Sequence, residues 1–175
     1  PVPAIFLGSS EVSVKEMVGA FSIYANKGVY NAPMMVTKIE DKYGNVLANF
    51  YPESREVITE NTAFLMANLM QGVVDEGTGR RLRFRYGFKN QIGGKTGTTQ
   101  NHSDGWFIGI TPDLAGGVWV GAEDRSIHFQ NLANGQGASM ALPIWALFMQ
   151  KVYADKSLAV PQSDFQKPNG VNHVL

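Results

Sequence analysis

Gly93-Gly94-Lys95-Thr96-Gly97-Thr98-Thr99 combines bare backbone, three close hydroxyls and one cation in the middle of a 175-residue chain. Glycine weakens a strand, because it adds backbone entropy and packs nothing. A strand built this way usually lets another backbone come close. A lysine supplies a point charge and threonines supply hydroxyl donors, so the stretch suits an extended ligand that carries a carboxylate. The plainer reading is a glycine-rich edge strand with a surface lysine. The rival motif is the phosphate-binding loop G-x-x-x-x-G-K-[ST]. Gly94-Lys95-Thr96 matches its end, but the first glycine falls on Lys89, and Gly87 is too early. A helix must also follow directly so that its terminal amides face the phosphate. Here a polar turn and another strand pattern follow, and the phosphate loop is rejected.

Outward from this stretch, the strand-like segments 91–98, 105–110 and 117–121 are joined by short links at 99–104 and 111–116. Short links between successive strands predict an antiparallel meander. Upstream, Ser13-Val14-Lys15-Glu16 is a capping box. Met17, Val18, Phe21, Tyr24 and Ala25 recur behind it at helical spacing, and Gly28 is the expected stop. Met35–Ile39 and Val46–Phe50 flank Tyr43-Gly44-Asn45 as a hairpin. A second helix is expected from Glu60 to Glu76, capped by Thr59, with Phe64, Leu65, Leu69, Met70 and Val73 on its apolar side. Residues 80–89 alternate basic and apolar, which fits a strand or a short irregular helix. A last helix is expected from Gln136 to Tyr153. Met140, Leu142, Ile144, Trp145, Phe148 and Met149 are expected to face inward, with Pro143 near enough to the start to be tolerated.

Composition removes several function classes. Basic and acidic residues number 15 each, so the chain lacks the basic excess of a nucleic-acid binder. It has no cysteine, which excludes a disulfide framework, a zinc ribbon and a thiol nucleophile. His102, His128 and His173 lack metal-ligand spacing. His102-Ser103-Asp104 holds triad residue types, but chain neighbours point apart and cannot relay a proton. Glu123-Asp124-Arg125 reads as a solvated turn. The basic run from Arg80 to Lys89 reads as a solvated face rather than a glycan or lipid site. Trp106 and Trp119 read as sheet packing. No apolar run is long enough to span a bilayer. The start, Pro1-Val2-Pro3-Ala4-Ile5, reads as a cut inside a longer chain.

Lys95-Thr96-Gly97 resembles the K-T-G box of penicillin-binding proteins and serine β-lactamases. The ordered set around it narrows the resemblance. Gly94–Asn101, Asp104–Pro112, Val118-Trp119-Val120-Gly121, Leu7–Ser13, Phe21–Gly28, Gln71-Gly72-Val73-Val74, Gly77-Thr78-Gly79 and Pro143-Ile144-Trp145 are similar to the bifunctional (class A) penicillin-binding proteins over about residues 3–155. The resemblance implies an α/β (α+β type) fold, an antiparallel sheet flanked by helices. It is part of a penicillin-binding transpeptidase or serine β-lactamase-like fold. Residues 1–160 correspond to the C-terminal part of the transpeptidase domain, and 161–175 to a flexible tail. Lys95 and Thr98 are implied to be catalytic, Lys95 in setting positive potential and assisting proton transfer. The Thr98 backbone N–H is implied to be an oxyanion-hole donor. Thr96, Gly97, Thr98 and Thr99 are implied to bind substrate: the Thr96 and Thr98 hydroxyls hold a carboxylate, and Gly97 admits the substrate backbone.

The implied partners are a peptidoglycan stem peptide ending in D-Ala-D-Ala and β-lactams. Other cell-wall synthesis proteins are further implied partners. No cofactor and no nucleic acid is implied. The implied place is the extracytoplasmic face of the bacterial cytoplasmic membrane, reached only through an anchor upstream. The family's S-x-x-K and S-x-N boxes do not occur: no serine is followed three residues on by lysine or two residues on by asparagine. The chain is therefore expected to be a fragment, with these boxes and any glycosyltransferase domain upstream. A D,D-carboxypeptidase, a β-lactamase-type hydrolase and a non-catalytic docking domain are the rival functions.

Overall fold

The computed structural model describes residues 3, 8 and 10–171. Leu7 and Ser9 of the family-like N-terminal run, the start at Pro1, and His173 in the last four residues lie outside them. The centre is a three-stranded antiparallel meander of β5 (Gly93–Thr98), β6 (Asp104–Ile110) and β7 (Ala115–Gly121), in the order β5-β6-β7. Its register pairs Lys95 with Ile108 and Thr98 with Gly105, then Trp106 with Trp119. Alternation along β6 sends successive side chains to opposite faces. Phe107 joins Trp145, Ala141 and Leu142 of α5 (Gly137–Ala154) in one core cluster. Ile110 joins Ala67 and Met70 of α2 (Glu60–Asp75), backed by Phe21 and Tyr24 of α1 (Val14–Ala25). Helices thus cover both faces of the sheet, as the α/β expectation required.

The capping box of α1 forms with both arms: the Glu16 N–H donates to the Ser13 hydroxyl and the Ser13 N–H donates to the Glu16 carboxylate. The stop is shared by Lys27 at φ +53° and Gly28 at φ +91°. Gly28 admits no side chain, because a Cβ there would run into the carbonyl of Ile58. Thr59 caps α2 by accepting the N–H of Thr62. The buried side of α2 agrees with the expected one at Met70 and differs elsewhere. Ala63, Ala67, Met70 and Val74 are buried, whereas Leu65 and Leu69 are exposed. Small alanines win these places because β5 lies so close that a Cβ on Gly93 would stand 3.3 Å from the Ala67 carbonyl.

Residues 80–89 resolve to the helical alternative, a single turn α3 (Arg81–Phe84). Gly87, at φ +72°, then turns the chain so that the Phe88 N–H donates back to the Leu82 carbonyl, and both side chains enter the core. Two arginines of the expected solvated face are structural. Arg83 pairs with Asp75 at 2.7 Å and donates to the carbonyls of Phe88 and Asn90. Arg81 donates to the Ala138 carbonyl and the Ser139 hydroxyl.

In α5, Met140, Leu142, Trp145 and Met149 point inward as expected, but Ile144 and Phe148 are exposed. Pro143 lies beyond the first turn, so it is not the harmless N-terminal proline of the expectation, and the helix nevertheless runs through it. A short helix, α4 (Leu132–Gly135), precedes α5.

The hairpin forms with shorter strands, β2 (Lys38–Glu40) and β3 (Val46–Asn49). A second two-stranded ribbon joins β1 (Val29–Asn31) to β4 (Ser54–Glu56). The described part of the expected loose tail, residues 161–171, has no helix or strand, yet it makes specific contacts. Ser163 donates twice to the Asp113 carboxylate, the Phe165 N–H donates to the Gln91 side chain, and Val171 is buried. No described helix is long and apolar enough to cross a membrane.

Candidate active-site strand

β5 pairs with β6 along one side and with no other strand among the described residues. Its other side has no described strand beside it, and although Gly93 and Gly94 are buried, the stretch from Lys95 to Thr98 is exposed or half-buried and accessible to an extended chain. The glycines pin this strand in place. A Cβ on Gly94 would stand 2.8 Å from the Phe107 ring, and one on Gly97 would stand 3.2 Å from the Cβ of Trp106. The half-buried Trp106 packs under the strand, and Trp119 beside it is partly exposed.

The expected residues divide between the two faces of β5. Lys95 is exposed on the face shared with Gly93 and Gly97, and its Nζ donates to the Thr96 carbonyl at 2.7 Å. Thr96 and Thr98 occupy the opposite face, toward α5. Thr98 is exposed, and its Oγ1 accepts the Gly137 N–H at 3.0 Å. Thr96 is half-buried, and its Oγ1 lies 2.7 Å from the Oγ1 of Thr78. Thr99 differs from the other hydroxyls. Its Oγ1 accepts the Asp104 N–H and lies 3.0 Å from the Ser103 hydroxyl, so it closes the β5–β6 turn rather than facing the open edge.

Thr78, Gly137 and Arg81 escaped the reading of the chain as neighbours of the site. Gly77-Thr78-Gly79 stood out only by family resemblance, and nothing local ties it to a strand many residues later. A cleft of about 300 Å³ opens beside them, lined by Thr78, Arg81, Gln136 and Ala138 among others. A smaller cleft of about 120 Å³ at Tyr24, Phe64 and Phe165 lies away from β5.

The triad types in the β5–β6 turn do not assemble. The His102 Nδ1 and Asp104 Oδ1 are buried and neither meets a hydrogen-bond partner among the described residues. Asp124 behaves as the expected turn: it accepts the Ser126 N–H, which holds its carboxyl below the usual range. No cluster of metal-ligating side chains occurs among the described residues.

The geometry offers an exposed strand edge with a lysine on one flank and two oriented hydroxyls on the other. The penicillin binding protein transpeptidase domain matches residues 6–138. Penicillin-binding protein 1A of Aquifex aeolicus is 33% identical over 96% of this chain, and penicillin-binding protein 2D of Bacillus subtilis is 33% identical over 99% of it. The chain spans only 22% and 24% of the lengths of those relatives. Among solved structures, penicillin-binding protein 1A from Haemophilus influenzae superposes with a TM-score of 0.82 at 24% identity, over 95% of this chain and 29% of that one. PonA1 from Mycobacterium tuberculosis superposes with a TM-score of 0.72 at 25% identity, over 96% of this chain and 44% of that one. The matched residues take in α1, the β5 edge and the start of α5, and the chain belongs to the penicillin-binding protein transpeptidase domain family.

Proposed function

We propose that this chain is the carboxylate-recognising and oxyanion-stabilising part of a peptidoglycan D,D-transpeptidase, and that the complete enzyme binds penicillin. The observation that carries the reading is the open edge of β5, with Lys95, Thr96 and Thr98 along it, in a chain of this family. An extended stem peptide adds to the edge as a further strand, its backbone pairing with β5. The Thr96 and Thr98 hydroxyls hold the carboxylate of its terminal D-alanine, and Lys95 supplies the positive potential beside it. Thr99 takes part by turning the chain behind Thr98.

The reaction is acyl transfer. A serine outside residues 1–175 attacks the carbonyl carbon of the penultimate D-alanine and loses its proton to a base. The developing oxyanion accepts the Thr98 backbone N–H and the nucleophile's own N–H. The C–N bond breaks, terminal D-alanine leaves with the proton, and a serine ester remains. A neighbouring stem-peptide amine attacks the ester, releasing the serine and forming the cross-link. This chemistry needs no cofactor. It places the domain on the extracytoplasmic side of the bacterial membrane, among other cell-wall synthesis proteins.

Labelling of the full-length transpeptidase that carries these residues with fluorescent penicillin tests the reading. A covalent label on a serine outside residues 1–175 is expected. A protein that takes no label is a docking domain instead. Products that are hydrolysed rather than transferred to an amine point to a carboxypeptidase or β-lactamase.

A further inference from the structure

We propose that Thr78 is a positioning residue that orients the Thr96 hydroxyl for a ligand carboxylate; this rests on the reading of Thr96 as a carboxylate ligand. A hydroxyl has one proton to donate and two lone pairs to accept with. A carboxylate only accepts, so a threonine that binds it must donate its proton to it. On Thr98 this is arranged from behind. Its Oγ1 accepts the N–H of Gly137, the first residue of α5, at 3.0 Å. A helix-start N–H has no partner inside the helix, and pairing it with a lone pair of Thr98 leaves the Thr98 proton for the open edge. Thr96 has the equivalent arrangement with a side chain in place of the amide. The Thr78 and Thr96 Oγ1 atoms are 2.7 Å apart. When Thr96 donates to a ligand, Thr78 must be the donor of that pair. Bonds chained this way polarise one another, which strengthens the outward donor.

The loop that presents Thr78 is built to hold it still. The Gly79 N–H donates to the Val73 carbonyl at 2.9 Å, and the Gly77 N–H donates to the Gly72 carbonyl at 3.1 Å. A Cβ on Gly77 would stand 2.9 Å from the Val73 backbone, so the turn closes only without a side chain there. Arg81, just past the loop, fastens it to α5 through the Ala138 carbonyl at 3.0 Å and the Ser139 hydroxyl at 2.9 Å. The backing of Thr96 and that of Thr98 are thereby tied to the start of one helix, and the two hydroxyls hold a common geometry.

The test compares acylation rates of the full-length transpeptidase with benzylpenicillin, which carries the carboxylate, and with its methyl ester, in which the carboxylate is masked. Thr78→Val should slow benzylpenicillin about two- to tenfold, the range of one ordinary hydrogen bond. It should leave the methyl ester rate and Tm unchanged, and Thr78→Ser should restore the wild-type rate. Thr78→Ala serves for the same comparison where valine disturbs the loop. Equal slowing of both ligands, or slowing that serine does not rescue, assigns Thr78 a merely structural role and overturns the inference. So does an unchanged Thr78→Val rate beside a slowed Thr96→Val. A Thr96→Val variant that reacts at the wild-type rate defeats the carboxylate reading itself, and the inference with it.

Discussion

The Thr98 hydroxyl serves both the fold, as acceptor of the Gly137 N–H, and the proposed chemistry, as donor, whereas the Lys95 ammonium makes one hydrogen bond among the described residues, to the Thr96 carbonyl beside it. The two are therefore expected to respond differently to truncation. Lys95→Ala should slow acylation of the full-length enzyme by roughly ten- to a hundredfold or more, the loss of a charge-assisted contact, with Tm unchanged. Thr98→Val should slow it comparably and also cost about 1 kcal/mol of stability, because α5 loses its N-terminal acceptor. Penicillin labelling rates and thermal melts measured together check both, and normal labelling in both variants removes β5 from the site. Gly137 is held to even tighter limits, since a Cβ there would press on the carbonyls of Gly97 and Trp106. Gly137→Ala should cost about 1–3 kcal/mol by overpacking, and Tm and labelling should fall together. The hydroxyls of Thr96 and Thr98 were legible as donors in the sequence. Their partners were not, because Thr78 and Gly137 reach them through packing across long stretches of chain.

At the scale of the element, α1 was readable down to its cap because a capping box is a local pattern of four residues. Ser13→Ala should cost about 1 kcal/mol, seen as a drop of about 2–4 °C in Tm. The Ser13 backbone N–H, and then its hydroxyl, hold the Glu16 carboxyl below its usual range. A group whose folded pKa is lowered stabilises above the ordinary carboxylate range, and that contribution is lost as pH falls through the folded value. The Tm gap between wild type and Glu16→Ala should therefore be present at neutral pH and close on acidification; a gap that stays constant to acid pH would refute the assignment. For β5, the open edge makes a different prediction. An unpaired strand recruits a second chain, so the 175-residue chain alone should self-associate as its concentration rises. Sedimentation that shows a monomer at every concentration would mean that the edge is blunted some other way.

At the scale of the whole molecule, the core is asymmetric. Trp145, Phe107, Leu82 and Ile92 are fully buried between the sheet and α5, while Ile144, Leu147 and Phe148 on the far side of α5 are exposed, as are Met35 and Tyr51 around the outlying hairpin. The chemistry is divided as well, since the chain holds a K-T-G strand and no S-x-x-K serine. The chain alone should form no covalent adduct with penicillin. Intact mass after incubation with excess drug checks this, and a gain of one drug equivalent at any of its serines would overturn the division of labour proposed for it.

Sequence alone determined the local features: the capping box, the order and type of the main helices and strands, the short-linked meander, and the glycine-rich strand with its K-T-G box. Each follows from residues a few positions apart, where periodicity and backbone sterics suffice. Tertiary structure decided what depends on neighbours distant in the chain. It chose helix over strand for Arg81–Phe84, because Leu82 and Phe88 share one core only if Gly87 turns the chain back. It also put alanines rather than leucines on the buried side of α2, held residues 163 and 165 against the body, and set Thr78 behind Thr96. These depend on how closely two surfaces approach, a distance that no run of consecutive residues contains.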